Sequence, residues 1–141
     1  ASDGLLPALP TLIWRVRALC DLDADPHAID AVLGAAAAGN VGSHFPPDDD
    51  EWKDAESMDL LDRATRIVLA RDYQVVNVDV TVICESPKIA PHVEAMRSRL
   101  AEAMRISSAS ISIKGKSNEG MGWIGAGEGI AVHAVALITG V

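Results

Sequence analysis

The chain has 141 residues, a length that suits one domain with a sizeable core, and its 49% hydrophobic and 23% charged content is ordinary globular composition. Twenty acidic residues against twelve basic ones give a formal charge of −8, which argues against electrostatic binding to nucleic acid or anionic lipid. An anionic small ligand would therefore need a local cationic site or a metal.

Cys20 and Cys84 are too few and too unpatterned for a disulfide framework or a thiolate zinc site, which favours a reducing cytosol or organelle interior. No stretch reads as a signal peptide or a membrane span. Residues 1–20 are ambiguous, with two prolines between Leu5 and Leu12 and a segment, Thr11 to Leu19, that suits a strand or a short helix. Asp25-Pro26 is a helix start, a carboxylate cap followed by proline at the first helical position, and the alanine-rich run His27 to Ala38 ends at Gly39-Asn40. The next stretch, V-G-S-H-F-P-P-D-D-D-E-W-K, reads as an irregular loop because of its two prolines and acidic run. Ser57 then caps a helix with Met58, Leu61, Ala64, Thr65 and Val68 on one face.

From Tyr73 to Cys84 the period changes to two, placing Val76, Val78, Val80 and Val82 on one face of a long strand and Asn77, Asp79, Thr81 and Ile83 on the other. A third helix, about Pro91 to Arg105, buries Val93, Met96 and Leu100. Ser110 to Lys114 alternates as a strand, and Gly129 to Thr139 forms the last one, apolar enough to suggest burial on both faces. The expected architecture is a two-layer α/β sandwich, a mixed β-sheet of about four strands packed on about three helices, in a single domain over 1–141.

Between the last two strands lies K-G-K-S-N-E-G-M-G-W-I-G-A-G-E-G, Lys114 to Gly129. Glycine lets backbone N–H groups approach phosphate oxygens, Ser117 and Asn118 add donors, and Trp123 offers a flat apolar face. Gly120, Gly122 and Gly125 satisfy G-x-G-x-x-G, but the dinucleotide fingerprint also needs a following helix and an acidic residue about 20 positions on, and neither is present. The competing reading is a glycine hairpin joining two strands.

His27 has Asp21, Asp23 and Asp25 before it and Asp30 one turn later, chemistry that suits zinc or manganese if further ligands converge; a solvated acidic helix start explains the same residues. His44 has no comparable neighbourhood, and His92 and His133 read as structural. Asp48 to Glu51 reads as a solvated tip closed by Trp52 and Lys53. Cys84-Glu85-Ser86-Pro87-Lys88 places a lysine at the carboxyl end of the long strand, where α/β sheets commonly bind ligands, although an ordinary strand-to-helix connection fits as well. No nucleophile with an adjacent base is legible.

In order and spacing, D-A-D-P-H-A-I-D-A-V-L-G-A-A, G-N-V-G-S-H-F-P-P-D-D-D-E-W-K, N-V-D-V-T-V-I, S-P-K-I and K-G-K-S-N-E-G-M-G-W-I-G-A-G-E-G-I-A resemble the 2-C-methyl-D-erythritol 2,4-cyclodiphosphate synthase family, from about Asp23 to Leu137. The resemblance implies cyclisation of a cytidine-diphosphate-linked methylerythritol phosphate with loss of CMP, in homotrimers whose sites lie between subunits, in a bacterial cytoplasm or plastid-type organelle. It implies no nucleic-acid or membrane partner. It further implies a zinc-type ion on His27 and a second ion, Mg2+ or Mn2+, on Glu119. Val41, Gly42, Phe45, Pro46 and Asp49 match the loop that holds the methylerythritol part. Cys84, Glu85, Ser86, Pro87, Lys88, Ile89 and Ala90 match the cytidine-diphosphate pocket, and Lys116, Ser117, Asn118 and Glu119 the diphosphate segment. Ser117 stands in for a catalytic threonine, and Trp123 matches a substrate-contacting aromatic position.

The chain departs from the family pattern at defined places. Nothing in residues 1–20 reproduces the strand-borne Asp-x-His that supplies two zinc ligands, so that residues 1–22 are atypical, and His-Ser-Asp-x-Asp reads Asp21-Leu22-Asp23-Ala24-Asp25. The chain is also shorter by several residues between that motif and Gly34. Asn40 and Pro47 replace acidic contacts, and Ala126 replaces a phosphate-binding arginine. These departures leave open a noncatalytic trimeric relative that keeps the cytidine pocket around Lys88.

Overall fold

The computed structural model of the chain describes residues 26–141. The expected Asp25 cap, the carboxylates of Asp21 and Asp23, and the ambiguous segment at Thr11 to Leu19 lie outside the described residues.

Helix α1, Pro26–Ala35, buries Ala28, Ile29, Val32 and Leu33. It stops before the expected Gly39 because Ala37 itself takes φ +52°, and the Ala38 N–H then donates to the Leu33 carbonyl at 2.9 Å. This is the wrapped helix end usually made with glycine. The following loop is not wholly irregular. Asn40 caps a one-turn helix α2, Val41–His44, its Oδ1 accepting from the Ser43 N–H at 2.9 Å while its own N–H donates to Ser43 Oγ at 3.0 Å. The reciprocal pair satisfies two otherwise orphaned N–H groups, so the turn forms ahead of the prolines.

Helix α3, Ser57–Ala70, starts with Glu56 in the cap position and no side-chain cap bond, so Ser57 is its first residue and not its cap. Leu61, Ala64 and Val68 are fully buried on the expected face, each large aliphatic contributing roughly 1.5–3 kcal/mol relative to exposure. Strand β1, Tyr73–Ile83, leads through a 3₁₀ turn at Ala90–His92 into helix α4, Val93–Met104, which buries Met96, Leu100 and Met104. Strand β2, Ile111–Lys116, is followed by the one-turn helix α5, Gly122–Gly125, and strand β3, Ala131–Gly140.

Among the described residues the sheet has three strands in the order β2-β1-β3, with β1 parallel to β2 and antiparallel to β3. It is the expected mixed sheet packed against helices. Two details of phase differ from expectation. The β1/β3 register slips between Val75 and Asn77, so Val75 and Val78 are both buried while Val76 is 38% exposed; the extra residue of a bulge moves Val76 to the other face. Strand β3 is covered on one face only. Val132, Ala134, Ala136 and Ile138 pack on the core, whereas Val135 is 69% and Leu137 55% exposed. The glycine segment is likewise no hairpin, since the two strands it joins flank β1 on opposite sides.

Candidate functional site

Because β1 and β2 run parallel, their carboxyl ends finish side by side, and the Cys84 N–H donates to the Lys116 carbonyl at 3.0 Å just beyond the last strand pairing. The chain then turns through a cis Ser86-Pro87 bond. A cleft of ≈ 280 Å³ opens there, lined by Cys84, Glu85, Pro87, Lys88, Ile89, Ala90, Gly115, Lys116 and Ser117. Two segments far apart in sequence thus meet at one place, and each brings an exposed lysine.

The cleft wall is close-packed. A side chain at Gly115 would put its Cβ 2.8 Å from Ile89 Cβ. Cys84 is buried, its thiol donating to the Pro87 carbonyl at 3.5 Å. Burial pushes that thiol's pKa up, and the neighbouring Glu85 charge pushes it the same way. A protonated, inert thiol is the consequence, which removes Cys84 as a nucleophile and leaves it as cleft lining.

Beyond Ser117 the loop is internally bonded. Ser117 Oγ donates to Glu119 Oε1 at 3.2 Å, and Asn118 Nδ2 donates to the Met121 carbonyl at 2.7 Å. Trp123 is 55% exposed and lies over Gly129, where an added Cβ would sit 2.7 Å from the ring. The six-membered ring's edge abuts the Gly129 backbone while more than half of the side chain remains open to solvent, leaving aromatic surface available for stacking.

The loop matched to the methylerythritol part lies elsewhere within the chain. Phe45 is buried and meets Trp52 edge-on, with ring centroids 5.0 Å apart, and the Arg63 guanidinium sits 5.0 Å from the Trp52 ring. These residues line a second cavity of ≈ 670 Å³ with His44, Asp59, Asp62, Arg66 and Ile67. Val41 and Gly42 lie in α2, with Val41 tied to α1 by Asp30, and Pro46 and Asp49 follow in the loop after it. Phe45 does not line the Lys88 cleft.

His27 is exposed in the first turn of α1. Among the described residues no group of three His, Cys, Asp or Glu side chains converges to hold a metal. The described residues by themselves do not make a tetrahedral zinc site, which takes three or four protein ligands. Glu119 is a different case, because magnesium commonly takes one or two carboxylates and completes its shell with phosphate and water. A single carboxylate bonded to cleft-lining Ser117 fits that pattern. His44 donates through Nε2 to the Ala38 carbonyl, and His133 is exposed on the outer face of β3, so neither joins the cleft.

Sequence reasoning missed the roles of three residues. Asn40, read as a lost acidic contact, is a helix cap that N-x-x-S signals directly. Arg63, on Trp52, and Asp30, on Val41, are joined to their partners by the fold across 11 residues.

A cleft at the carboxyl ends of adjacent parallel strands, lined by two lysines and a serine, defines a small α/β protein with its candidate site where such sheets commonly bind ligands. The chain matches the YgbB family over residues 14–139 and belongs to it. It is 48% identical over 121 residues to the 2-C-methyl-D-erythritol 2,4-cyclodiphosphate synthase of Symbiobacterium thermophilum, covering 85% of this chain and 77% of that one. It is 47% identical over 127 residues to the bifunctional enzyme IspD/IspF of Hyphomonas neptunium, covering 89% of this chain but spanning only 34% of the relative. Among solved structures, the bifunctional IspDF from Campylobacter jejuni superposes with a TM-score of 0.78 at 33% identity over 82% of this chain and 32% of the other. A CDP-bound 2C-methyl-D-erythritol-2,4-cyclodiphosphate synthase gives 0.73 at 30% identity, covering 83% and 76%.

Proposed function

We propose that the chain cyclises 4-diphosphocytidyl-2-C-methyl-D-erythritol 2-phosphate to 2-C-methyl-D-erythritol 2,4-cyclodiphosphate with release of CMP, as a phosphorus-oxygen lyase of non-mevalonate isoprenoid biosynthesis. The observation that carries the reading is the convergence of Lys88 with Lys116 and Ser117 on one cleft, in a family whose relatives bear that enzyme's name.

In the reaction an oxygen of the 2-phosphate attacks the β-phosphorus, the bond from that phosphorus to the bridging oxygen breaks, and the pair departs with CMP. The main barrier is to bring anionic phosphates together in line. Lys88 and Lys116 supply the positive charge that a chain of net charge −8 otherwise lacks. The Ser117 hydroxyl donates to phosphoryl oxygen as charge builds there, and Trp123 offers its face to the organic part. Glu119 would hold a Mg2+ or Mn2+ ion, whose role when bound is to neutralise phosphate charge. His27 stands as a zinc-binding candidate, and no step is assigned through it.

The functional unit is a homotrimer with its sites between subunits. The uncovered apolar face of β3 supports that assembly, as does the distance in role between the Phe45 loop and the Lys88 cleft within one chain. No helix among the described residues is long and apolar enough to cross a membrane; the cytoplasmic or organelle-interior setting, without membrane or nucleic-acid partner, is proposed from the family resemblance. The family match over 14–139 supports a single cyclodiphosphate-synthase-like domain.

The test is CMP release from the authentic substrate, with bound metal measured on the same preparation. Stoichiometric CMP and cyclic diphosphate are expected. Cytidine nucleotide binding without turnover, in protein loaded with zinc and magnesium, would replace the reading with a noncatalytic nucleotide-binding relative.

A further inference from the structure

The pairing of β1 with β2 ends at the Cys84 to Lys116 hydrogen bond, and beyond it Glu85 reaches across to the segment that follows β2. A single carboxylate oxygen, Oε1, accepts from the backbone N–H of Asn118 at 2.7 Å and from that of Gly120 at 3.3 Å. Between those amides Glu119 stands at φ +54°, and Gly120 follows at φ +72°. Successive residues in such turn conformations aim their N–H groups into a concavity that binds anions. A non-glycine residue held left-handed costs free energy and persists where its surroundings over-determine it. Glu85 supplies that determination: the concavity is filled by the chain's own carboxylate.

The same contact revises one sequence expectation. Two of the N–H groups that the glycine segment was expected to offer to phosphate are already taken, so phosphate binding falls to the Lys88 and Lys116 side of the cleft. What the loop gains is a fixed shape. Ser117 Oγ both donates to Glu119 Oε1 and accepts from the Glu119 N–H at 3.4 Å, so the placement of hydroxyl and carboxylate depends on the backbone that Glu85 braces.

We infer that Glu85 is a positioning residue, which locks the Ser117–Gly120 loop against the carboxyl end of β1 so that the Ser117 hydroxyl and the Glu119 carboxylate are set before substrate arrives. The brace stands on the contacts above; its catalytic consequence rests on the proposed cyclase reading. Acceptance of two N–H groups is a matter of geometry, and an amide oxygen at the same reach does it as well. Glu85→Gln therefore keeps the brace, and Glu85→Ala removes it. Glu85 is exposed, so neither change disturbs the core.

The experiment combines backbone amide exchange of the full chain without ligand and steady-state kinetics. In Glu85→Ala the Asn118 and Gly120 amides are expected to exchange about ten-fold faster or more. The kcat is expected to fall on the order of 10²-fold, a larger factor than any change in KM or CMP affinity, while Glu85→Gln, which keeps the acceptor oxygen, restores exchange protection and recovers part of the lost kcat. Equal exchange in wild type and Glu85→Ala overturns the inference, as does unchanged kcat in the face of faster exchange. So does a Glu85→Gln variant as impaired as Glu85→Ala, or a loss of CMP affinity in step with kcat, which would make Glu85 a direct ligand contact. If the wild-type chain releases no CMP, the proposed reaction fails on its own, and the amide exchange still decides the brace.

Discussion

Asp30 Oδ1 accepts the backbone N–H of Val41 at 2.7 Å, tying the first turns of α1 to the loop matched to the methylerythritol part of the substrate. A carboxylate one turn from His27 was open to reading as a metal ligand, and the fold gives it a loop to hold instead. Asp30→Ala should lower stability by about 1.5 kcal/mol, the low end for a hydrogen bond to a charged group because the site is exposed. It should also raise KM for the proposed substrate while leaving CMP affinity unchanged, since the cleft proposed for the nucleotide lies elsewhere within the chain. Urea unfolding and paired KM and CMP titrations check this. Reduced metal content in the variant would return Asp30 to the ligand set.

Gly125 packs backbone to backbone on Gly120, where an added Cβ would lie 2.1 Å from the carbonyl carbon and 2.5 Å from its oxygen. No rotamer relieves a clash with main chain, so Gly125→Ala must move the Ser117–Gly120 loop. Overpacking of this kind costs about 1–3 kcal/mol, and the proposed cyclase activity should fall sharply. Gly34→Ala is the control, because an added Cβ at that exposed helical position would meet nothing within 4 Å. Equal activity in the two variants would show that the loop tolerates displacement.

The contrast between those glycines shows what was legible in the sequence. Leu61, Ala64 and Val68 on α3, and Val78, Val80 and Val82 on β1, were readable because periodicity records which face is buried. The Lys88 and Ser117 segments were readable as motifs, though not as neighbours. Val76 escaped because a bulge changes phase without changing composition. Val135 and Leu137 escaped because an apolar run does not say whether its second face meets the same chain. The Glu85 brace spans 33 residues, a separation for which no local pattern exists.

Asp79 on β1 and Lys114 on β2 pair at 2.5 Å on the outer face of the sheet, both more than half exposed. The hydrogen bond from the Lys114 ammonium, with its charge and a bond from Ser112, outweighs desolvation and holds the Asp79 carboxyl below its ordinary value. The unfolded carboxyl titrates at about 3.9, so between that pH and the depressed folded value the unfolded chain binds more protons. Stability therefore rises with pH across that window; the contribution is complete above about pH 4 and lost as pH falls through the folded value. Exposure and salt keep it small. Asp79→Asn should remove this acid-side slope, and the difference from wild type should shrink at high salt in urea titrations from pH 2 to 7. A difference that grows toward acid pH contradicts the pairing.

Leu137 and Val135 leave an apolar strip on the outer face of β3, the feature expected of a sheet covered by other subunits. If the proposed trimer buries it, Leu137→Asp should dissociate the assembly, because an unpaired carboxylate at an apolar interface carries a severe desolvation cost. Sedimentation should then show a monomer whose circular dichroism keeps the wild-type helix and strand signal. The proposed activity should be lost with it, since the sites would no longer be shared. A trimer that persists in Leu137→Asp would place the interface on another face.

Ala126 ends α5 with ordinary right-handed backbone and is exposed, so a long side chain is accommodated there without strain. The family resemblance sets a phosphate-binding arginine at this position, and in this chain the cleft cations are Lys88 and Lys116. Ala126→Arg should tighten CDP binding by up to about ten-fold, the effect of one bidentate guanidinium-phosphate contact made partly in solvent. Fold stability should stay within about 0.5 kcal/mol of wild type. The gain should be larger in a Lys116→Ala background, where the added guanidinium replaces a missing charge. Calorimetric titration of CDP into the four proteins of this cycle gives the coupling directly. Tighter binding in Ala126→Arg with no dependence on Lys116 would mean that the two side chains serve different phosphates.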